Sequence, residues 1–294
     1  MLMKSAGPRK RSPRDERGPS LRYDRRGVPC ELRLLEKKML PNFLHAGASK
    51  CASSWLWRVC IEHPDIYVPD PPDNVNFFTV GYHRGLEWYE RTYFADWNGE
   101  KAVGEFSNSY MIFEPALQRI ARHLPDVRLT MTLRDPIRRA YLSWAHVHRK
   151  GKYGFDPARG IGIPFEKALH HHGHQYFRAW LAPGFYAWHL ERMRRYFDPG
   201  RMLVMLHEDL YADPEAWLQR FFEFLEVDAD FRPELIGKQV NPDVPGSDPY
   251  ESLSPELIDE LRDIYREDVE QLQEMLGRDL SHWLTGNEPK GDNP

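Results

Sequence analysis

The sequence predicts an α/β fold: a three-layer arrangement in which one parallel sheet is flanked by helices. Three observations carry that prediction. Short apolar runs alternate with stretches whose apolar residues recur at helical spacing. The run VRLTMTLR (127–134) has little polar alternation, as a strand buried on both faces should. The exits of two such runs, after Ala48 and after Arg134, carry polar and basic residues. Open parallel sheets bind ligands beyond the carboxyl ends of their strands.

The elements follow in order. PNFLHAGA (41–48) reads as a short buried strand, and SSWLWRVCIEHP (53–64) as a helix that Pro64 stops. IYVP (66–69) is a short extended piece before the rigid loop PDPPDN, and NFFTV reads as more extended chain. GLEWYERTYF (85–94) has helical periodicity, KAVGEFS (101–107) is a strand, and 113–123 is a helix. After VRLTMTLR, Asp135 suits an N-cap and Pro136 the first helical position, opening a helix to about Lys150. KYGFDPARGIGIP (152–164) is a loop. A helix over 186–197, a strand within RMLVMLHEDL (201–210), a helix over 214–227 capped by Asp213 and a long amphipathic helix over 255–276 complete the set.

The 294 residues suffice for a sizeable core, with 41% hydrophobic and 29% charged residues as in ordinary globular proteins. Charge is unevenly spread. Residues 1–30 are Arg-, Lys-, Pro- and Gly-rich and predict a disordered basic tail, read as solvated with no specific nucleic-acid partner. The folded domain is expected over 31–286 and a flexible C-terminus over 287–294. The tail has no apolar segment of a secretory signal, and no run is long enough to span a bilayer. Cys30, Cys51 and Cys60 are odd in number and irregularly spaced, which argues against a disulfide framework and for a reducing cytoplasm.

The stretch FLHAGASKCASSWLWR (43–58) runs from a strand through small residues and one lysine into a helix. Helix N-termini attract anions. Gly47 allows close backbone approach, Lys50 supplies a point charge, and Ser53 and Ser54 supply hydroxyls. The nucleotide-loop pattern G-x-x-x-x-G-K-[ST] is not met, because Lys50 precedes the serines by three and four residues. The alternative is an ordinary β–α turn with a solvated lysine. Cys51, beside Lys50, is a candidate for an unusually acidic thiol. HHHGH (170–174) matches no usual zinc spacing, so no metal site is predicted.

Ser49-Lys50-Cys51-Ala52-Ser53-Ser54-Trp55 resembles the P-K-x-G-T-T-[SW] loop of PAPS-dependent sulfotransferases, with Ala52 at the glycine. Leu133 to Tyr141 (LRDPIRRAY) resembles the second anchor of the bacterial and carbohydrate branch. Further similarities run from about residue 41 to 283, including HPDIYVP, LHEDLYADP and LGRDLSHW. The resemblance implies a P-loop NTPase-like sulfotransferase fold. It implies transfer of a sulfuryl group from PAPS to a hydroxyl or amine of a small-molecule, sugar or lipid-like acceptor, with PAP as product and no metal required.

By the same resemblance Gly47, Lys50, Cys51, Ala52, Ser53, Ser54 and Trp55 would hold the phosphosulfate end, with Trp55 stacking on adenine or packing as helix core. Arg134 and Ser143 would hold the 3′-phosphate, and Lys238 would lie near it. Ser143 comes one residue late, so either the helix start adjusts or Arg138 or Arg139 helps instead. Lys50 would stabilise developing charge.

The family's K-E-x-x-F-F is Asp73-Asn74-Val75-Asn76-Phe77-Phe78 here, with Asn74 at the expected carboxylate. The base is then Asp73 or His83, or the acceptor needs little help. Glu105 stands in the family's E-K-[ST] segment, either near the acceptor or as a structural carboxylate, and Phe106 replaces the lysine. Two rival readings remain: a PAP-binding protein with weakened catalysis, and an ATP-dependent phosphoryl transferase.

Overall fold

A computed structural model describes residues 39–70, 74–149, 164–170, 180–238 and 248–286. The predicted tail, Asp73, the 152–163 loop, most of the histidine cluster and the last eight residues lie outside them. Among the described residues five strands form one sheet: β1 (Phe43–Gly47), β2 (Ile66–Tyr67), β3 (Ala102–Phe106), β4 (Arg128–Leu133) and β5 (Met202–Leu206). Their order is β2-β3-β1-β4-β5, and every pairing is parallel.

Both faces of the sheet are covered, which is why its strands lack polar alternation. On one face Phe43, Ala102, Phe106 and Met205 pack with the helices Ser53–Glu62 and Pro214–Leu225. On the other, Leu44, Val103, Leu129 and Met131 pack with Glu114–His123, Tyr186–Arg194 and Pro255–Leu276. These are the three predicted layers.

The strand order creates the site. β1 feeds the chain toward β3 and β2, whereas β4 feeds it toward β5. Neighbouring strands whose exits run in opposite directions leave a crevice between them. Here that crevice lies beyond the ends of β1 and β4. The two strands shift register between His45 and Gly47, and Ala48 N–H then donates to the Thr132 carbonyl at 3.0 Å.

The predicted elements return within a few residues, and the 255–276 helix returns unchanged. One expectation fails. Phe77–Gly81 is not extended but a single wide helical turn, followed by a tight one over Tyr82–Arg84. Its aromatic residues satisfy strand propensity, yet they pack as a cluster in which Phe77 stacks on Tyr89 with ring centroids 4.0 Å apart. Tertiary packing overrides local preference there.

Candidate active site

The donor-side loop begins where β1 ends. Gly47 has φ +145°, and a Cβ there would meet the Asn108 carbonyl oxygen at 3.3 Å and Met111 at 3.4 Å. Lys50 and Ala52 both take left-handed conformations, with φ of 70° and 64°. Alternating handedness turns successive N–H groups into one concavity suited to an anion. Ala52 therefore keeps the backbone that a glycine would give, at a cost of roughly 1 kcal/mol. The helix Ser53–Glu62 starts immediately after, with no side chain capping its N-terminus. Trp55 and Leu56 N–H both donate to the Ala52 carbonyl at 3.0 Å, and helix geometry offers no intrahelical carbonyl to the N–H groups before them.

The second anchor sits beside the first. Arg134, at the exit of β4, donates from Nη1 to the Lys50 carbonyl at 3.1 Å. Its own carbonyl accepts from the Tyr186 hydroxyl at 2.9 Å, which fixes the backbone. Arg134 Nε is buried and has no partner among the described residues. Asp135 caps the following helix as predicted, accepting from Ile137 N–H at 2.8 Å. Tyr250 donates to its other oxygen at 2.5 Å.

That cap bears on the Ser143 offset. The helix Pro136–Arg149 starts regularly at Asp135, so its beginning absorbs no extra residue. Ser143 is half-buried one turn beyond Arg139. Arg138 is paired with Asp248 at 2.9 Å and lies over the Tyr250 ring. Arg139 is fully buried and donates to the Trp180 carbonyl. Neither arginine lies on an exposed helix face.

Cys51 corrects another expectation. Its side chain is buried and donates to the Ser49 carbonyl at 3.6 Å. Burial pushes the thiol up to about 11, against the pull of Arg134 and Arg139. It is not a thiolate, and only its backbone can face an anion. Trp55 packs edge-on against Trp217, with centroids 6.2 Å apart, and donates to the Leu235 carbonyl at 3.3 Å. It is a core residue that ties the 233–238 segment to the helix start. Lys238 is exposed at the end of that segment.

The acceptor side is built on β3. Glu105 is fully buried. Its Oε1 accepts from Tyr110 at 2.6 Å and Tyr89 at 3.1 Å, and its Oε2 from Ser107 at 2.6 Å. Burial raises its carboxyl to about 7, although the three hydroxyls pull it down. Glu105 therefore cannot approach an acceptor, and the structural alternative holds for it. Phe106 stacks on the buried His45, with centroids 4.8 Å apart, and supplies no cation.

The same network carries the turn after the Pro-rich loop. Ser107 Oγ accepts from Asn76 N–H at 2.7 Å, and Tyr110 Oη accepts from Phe78 N–H at 3.2 Å. Ser109 donates to Asn76 Oδ1 at 2.7 Å. Asn74, exposed at its edge, bonds to Asn108, which also bonds to Ser53 Oγ at 3.1 Å. His83 is exposed on the tight turn, and Nδ1 donates to the Val80 carbonyl at 3.1 Å. A carbonyl only accepts, so Nδ1 carries the hydrogen of that bond and, in the neutral ring, Nε2 holds the lone pair. Sequence reasoning missed Asn108, Ser107 and Tyr110. Their polar types within SNSY were the available signal, but their partners lie 30 or more residues away for the turn and 55 for Ser53.

A lysine-bearing strand–loop–helix and an arginine from the neighbouring strand, converging at a switch point, form a crevice suited to an anionic ligand. Comparison with known proteins narrows the class. The sequence profile of the sulfotransferase family matches residues 91–231. A mouse bifunctional heparan sulfate N-deacetylase/N-sulfotransferase 4 is 31% identical over 201 residues, covering 64% of this chain and 22% of that protein. Mouse heparan sulfate glucosamine 3-O-sulfotransferase 3B1 is 26% identical over 271 residues, covering 83% of this chain and 65% of that protein. A crystal structure of a sulfotransferase from Alicyclobacillus acidocaldarius superposes with a TM-score of 0.65 at 28% identity, over 83% of this chain and 99% of that one. Over the matched residues the chain is similar to sulfotransferases in both sequence and fold. It spans about a fifth of the bifunctional relative and just under two thirds of the 3-O-sulfotransferase. Among the described residues no helix is long and apolar enough to cross a membrane.

Proposed function

We propose that the chain moves a sulfuryl group from PAPS to a hydroxyl or amine of an acceptor, most simply a carbohydrate or another small molecule. The observation that carries this reading is the Arg134–Lys50 hydrogen bond, which joins both anion anchors at one crevice. The fit is supported by the left-handed backbone at Lys50 and Ala52 and by the unpartnered, buried Nε of Arg134. In this reading the loop 47–54 and Lys50 hold the phosphosulfate end. Arg134 holds the 3′-phosphate, with Lys238 beside it. The donor supplies the activated sulfuryl group. Lys50 supplies fixed positive charge where negative charge develops, usually the largest single contribution to catalysis. The acceptor proton passes to Asp73 or to His83, whose Nε2 lone pair suits it to accept one. Free, buried Cys51 and Cys60 support a cytoplasmic location.

Calorimetry with PAP and with ATP tests the donor assignment. Tighter binding of PAP, independent of magnesium, is expected. Tighter ATP binding that requires magnesium would replace this reading with phosphoryl transfer. Turnover of PAPS across an acceptor panel tests the reaction, and Asp73→Asn against His83→Ala identifies the base. Unchanged turnover in both variants would remove both from that role. A second reading, PAP binding with weakened catalysis, is favoured by the buried Phe106 in place of a cation. Tight PAP binding with no turnover of any acceptor would select it.

A further inference from the structure

We propose that Asn74 is a catalytic hydrogen-bond donor and that Asn108 is the residue that positions it against the donor-side loop. Asn108 Nδ2 donates to Ser53 Oγ at 3.1 Å and to Asn74 Oδ1 at 3.1 Å. One nitrogen serves both oxygens, so they lie no further apart than twice that distance. Asn74, on the acceptor side, is therefore at the mouth of the anion loop. The two halves of the site meet through this amide.

The bridge also fixes which way Asn74 faces. Asn108 main-chain N–H donates to Asn74 Oδ1 at 3.4 Å. A main-chain N–H cannot accept, so the Asn74 carbonyl must point toward Asn108. The Asn74 NH2 group then points the other way, from an exposed side chain. Holding this geometry leaves Asn108 Oδ1 buried without a partner among the described residues. Such a group is costly and calls for an explanation. An amide that grips both Ser53 and Asn74 supplies one.

An amide NH2 gives up no proton and takes none at neutral pH. It can stabilise negative charge that grows on the oxygens of the moving sulfuryl group. This role rests on the transfer reading above. In that step the bond between sulfur and the donor's bridging oxygen breaks, and its electrons stay on the departing phosphate oxygen. The acceptor oxygen or nitrogen bonds to sulfur, and its proton passes to Asp73 or His83 and then to solvent. Asn74 only donates a hydrogen bond.

The test uses the full chain and two readouts. In the first, thermal midpoints without ligand are compared for Asn74→Ala, Asn108→Ala, Ser53→Ala and their pairs. A double variant containing Asn108→Ala should lose little more than the larger single loss. Additive losses would overturn the bridge. In the second, Asn74→Ala and Asn108→Ala should each lower kcat ten- to hundredfold, with PAP affinity within twofold. The double variant should be no slower than the slower single. Asn74→Asp should be as slow as Asn74→Ala at every pH. Wild-type or faster turnover by Asn74→Asp, with a new acidic limb, would show that this position wants a base and would overturn the donor role. Wild-type chain that binds PAP but turns over no acceptor would remove the transfer reading and the catalytic role of Asn74 together. The unfolding comparison decides the Asn108 bridge in either case.

Discussion

The two sides of the crevice are built by different means. The donor side, residues 47–55 with Arg134, is made mainly of backbone: a glycine that must approach Asn108 closely, two left-handed residues and a helix start. The acceptor side, residues 74–84 on 105–110, is made of side chains bonded across the chain, centred on a buried carboxyl with three hydroxyl donors. Backbone geometry at a strand exit tolerates changes of residue type, as Ala52 does in the place of a glycine. A side-chain network does not, because removing one member leaves another buried and unpaired. The donor side should therefore fail through lost charge, and the acceptor side through lost order.

The largest expected effect is at Lys50. Lys50→Ala should lower kcat by about 10²–10³ with little change in thermal midpoint, measured by PAPS turnover and by melting. An unchanged rate would remove the charge role on which the donor side rests. Arg134→Ala comes next. Loss of a charge-assisted contact of about 1.5–3 kcal/mol should weaken PAP binding roughly ten- to hundredfold in calorimetry.

On the acceptor side the expected changes are in stability. Tyr110→Phe leaves Glu105 Oε1 and the Phe78 N–H short of a partner and should cost about 1–3 kcal/mol in urea unfolding. The Glu105 carboxyl, raised to about 7 in the fold from an ordinary 4.5, binds more protons folded than unfolded between those values. Its stabilising contribution is complete below about pH 4.5 and is lost as pH rises through about 7, by on the order of 3 kcal/mol. Glu105→Gln should flatten that slope. An unfolding profile as steep in the variant would show that another group sets it. The smallest effect belongs to Ala52→Gly. Relief of the left-handed strain is partly offset by the greater freedom of glycine in the unfolded chain. A gain within about 1 kcal/mol, with PAP affinity unchanged, is expected. A loss of affinity would mean that Ala52 contributes more than its backbone.

This division also explains what could be read without a structure. The strands, the helix starts at Ser53 and Pro136 and the capping role of Asp135 are local matters. They depend on periodicity, on Pro and Asp at fixed offsets, and on residues within one turn. The Phe77–Gly81 turn was misread because its residues favour strands and only the ring cluster around Tyr89 makes them coil. Cys51 was misread because burial, which no short motif reveals, outweighs the nearby arginines.

From the sequence alone followed the parallel sheet covered on both faces, the strand–loop–helix at 47–55, the strand–Arg134–helix unit and the likeness to sulfotransferases. Each rests on contiguous residues whose chemistry is set by near neighbours. Tertiary structure alone decided that Arg134 meets the Lys50 carbonyl, that Glu105 is sealed beneath three hydroxyls and that Asn108 joins Ser53 to Asn74. Those contacts span from 2 to 84 positions of chain, and the longest of them exist only because strand order places the ends of β3, β1 and β4 side by side.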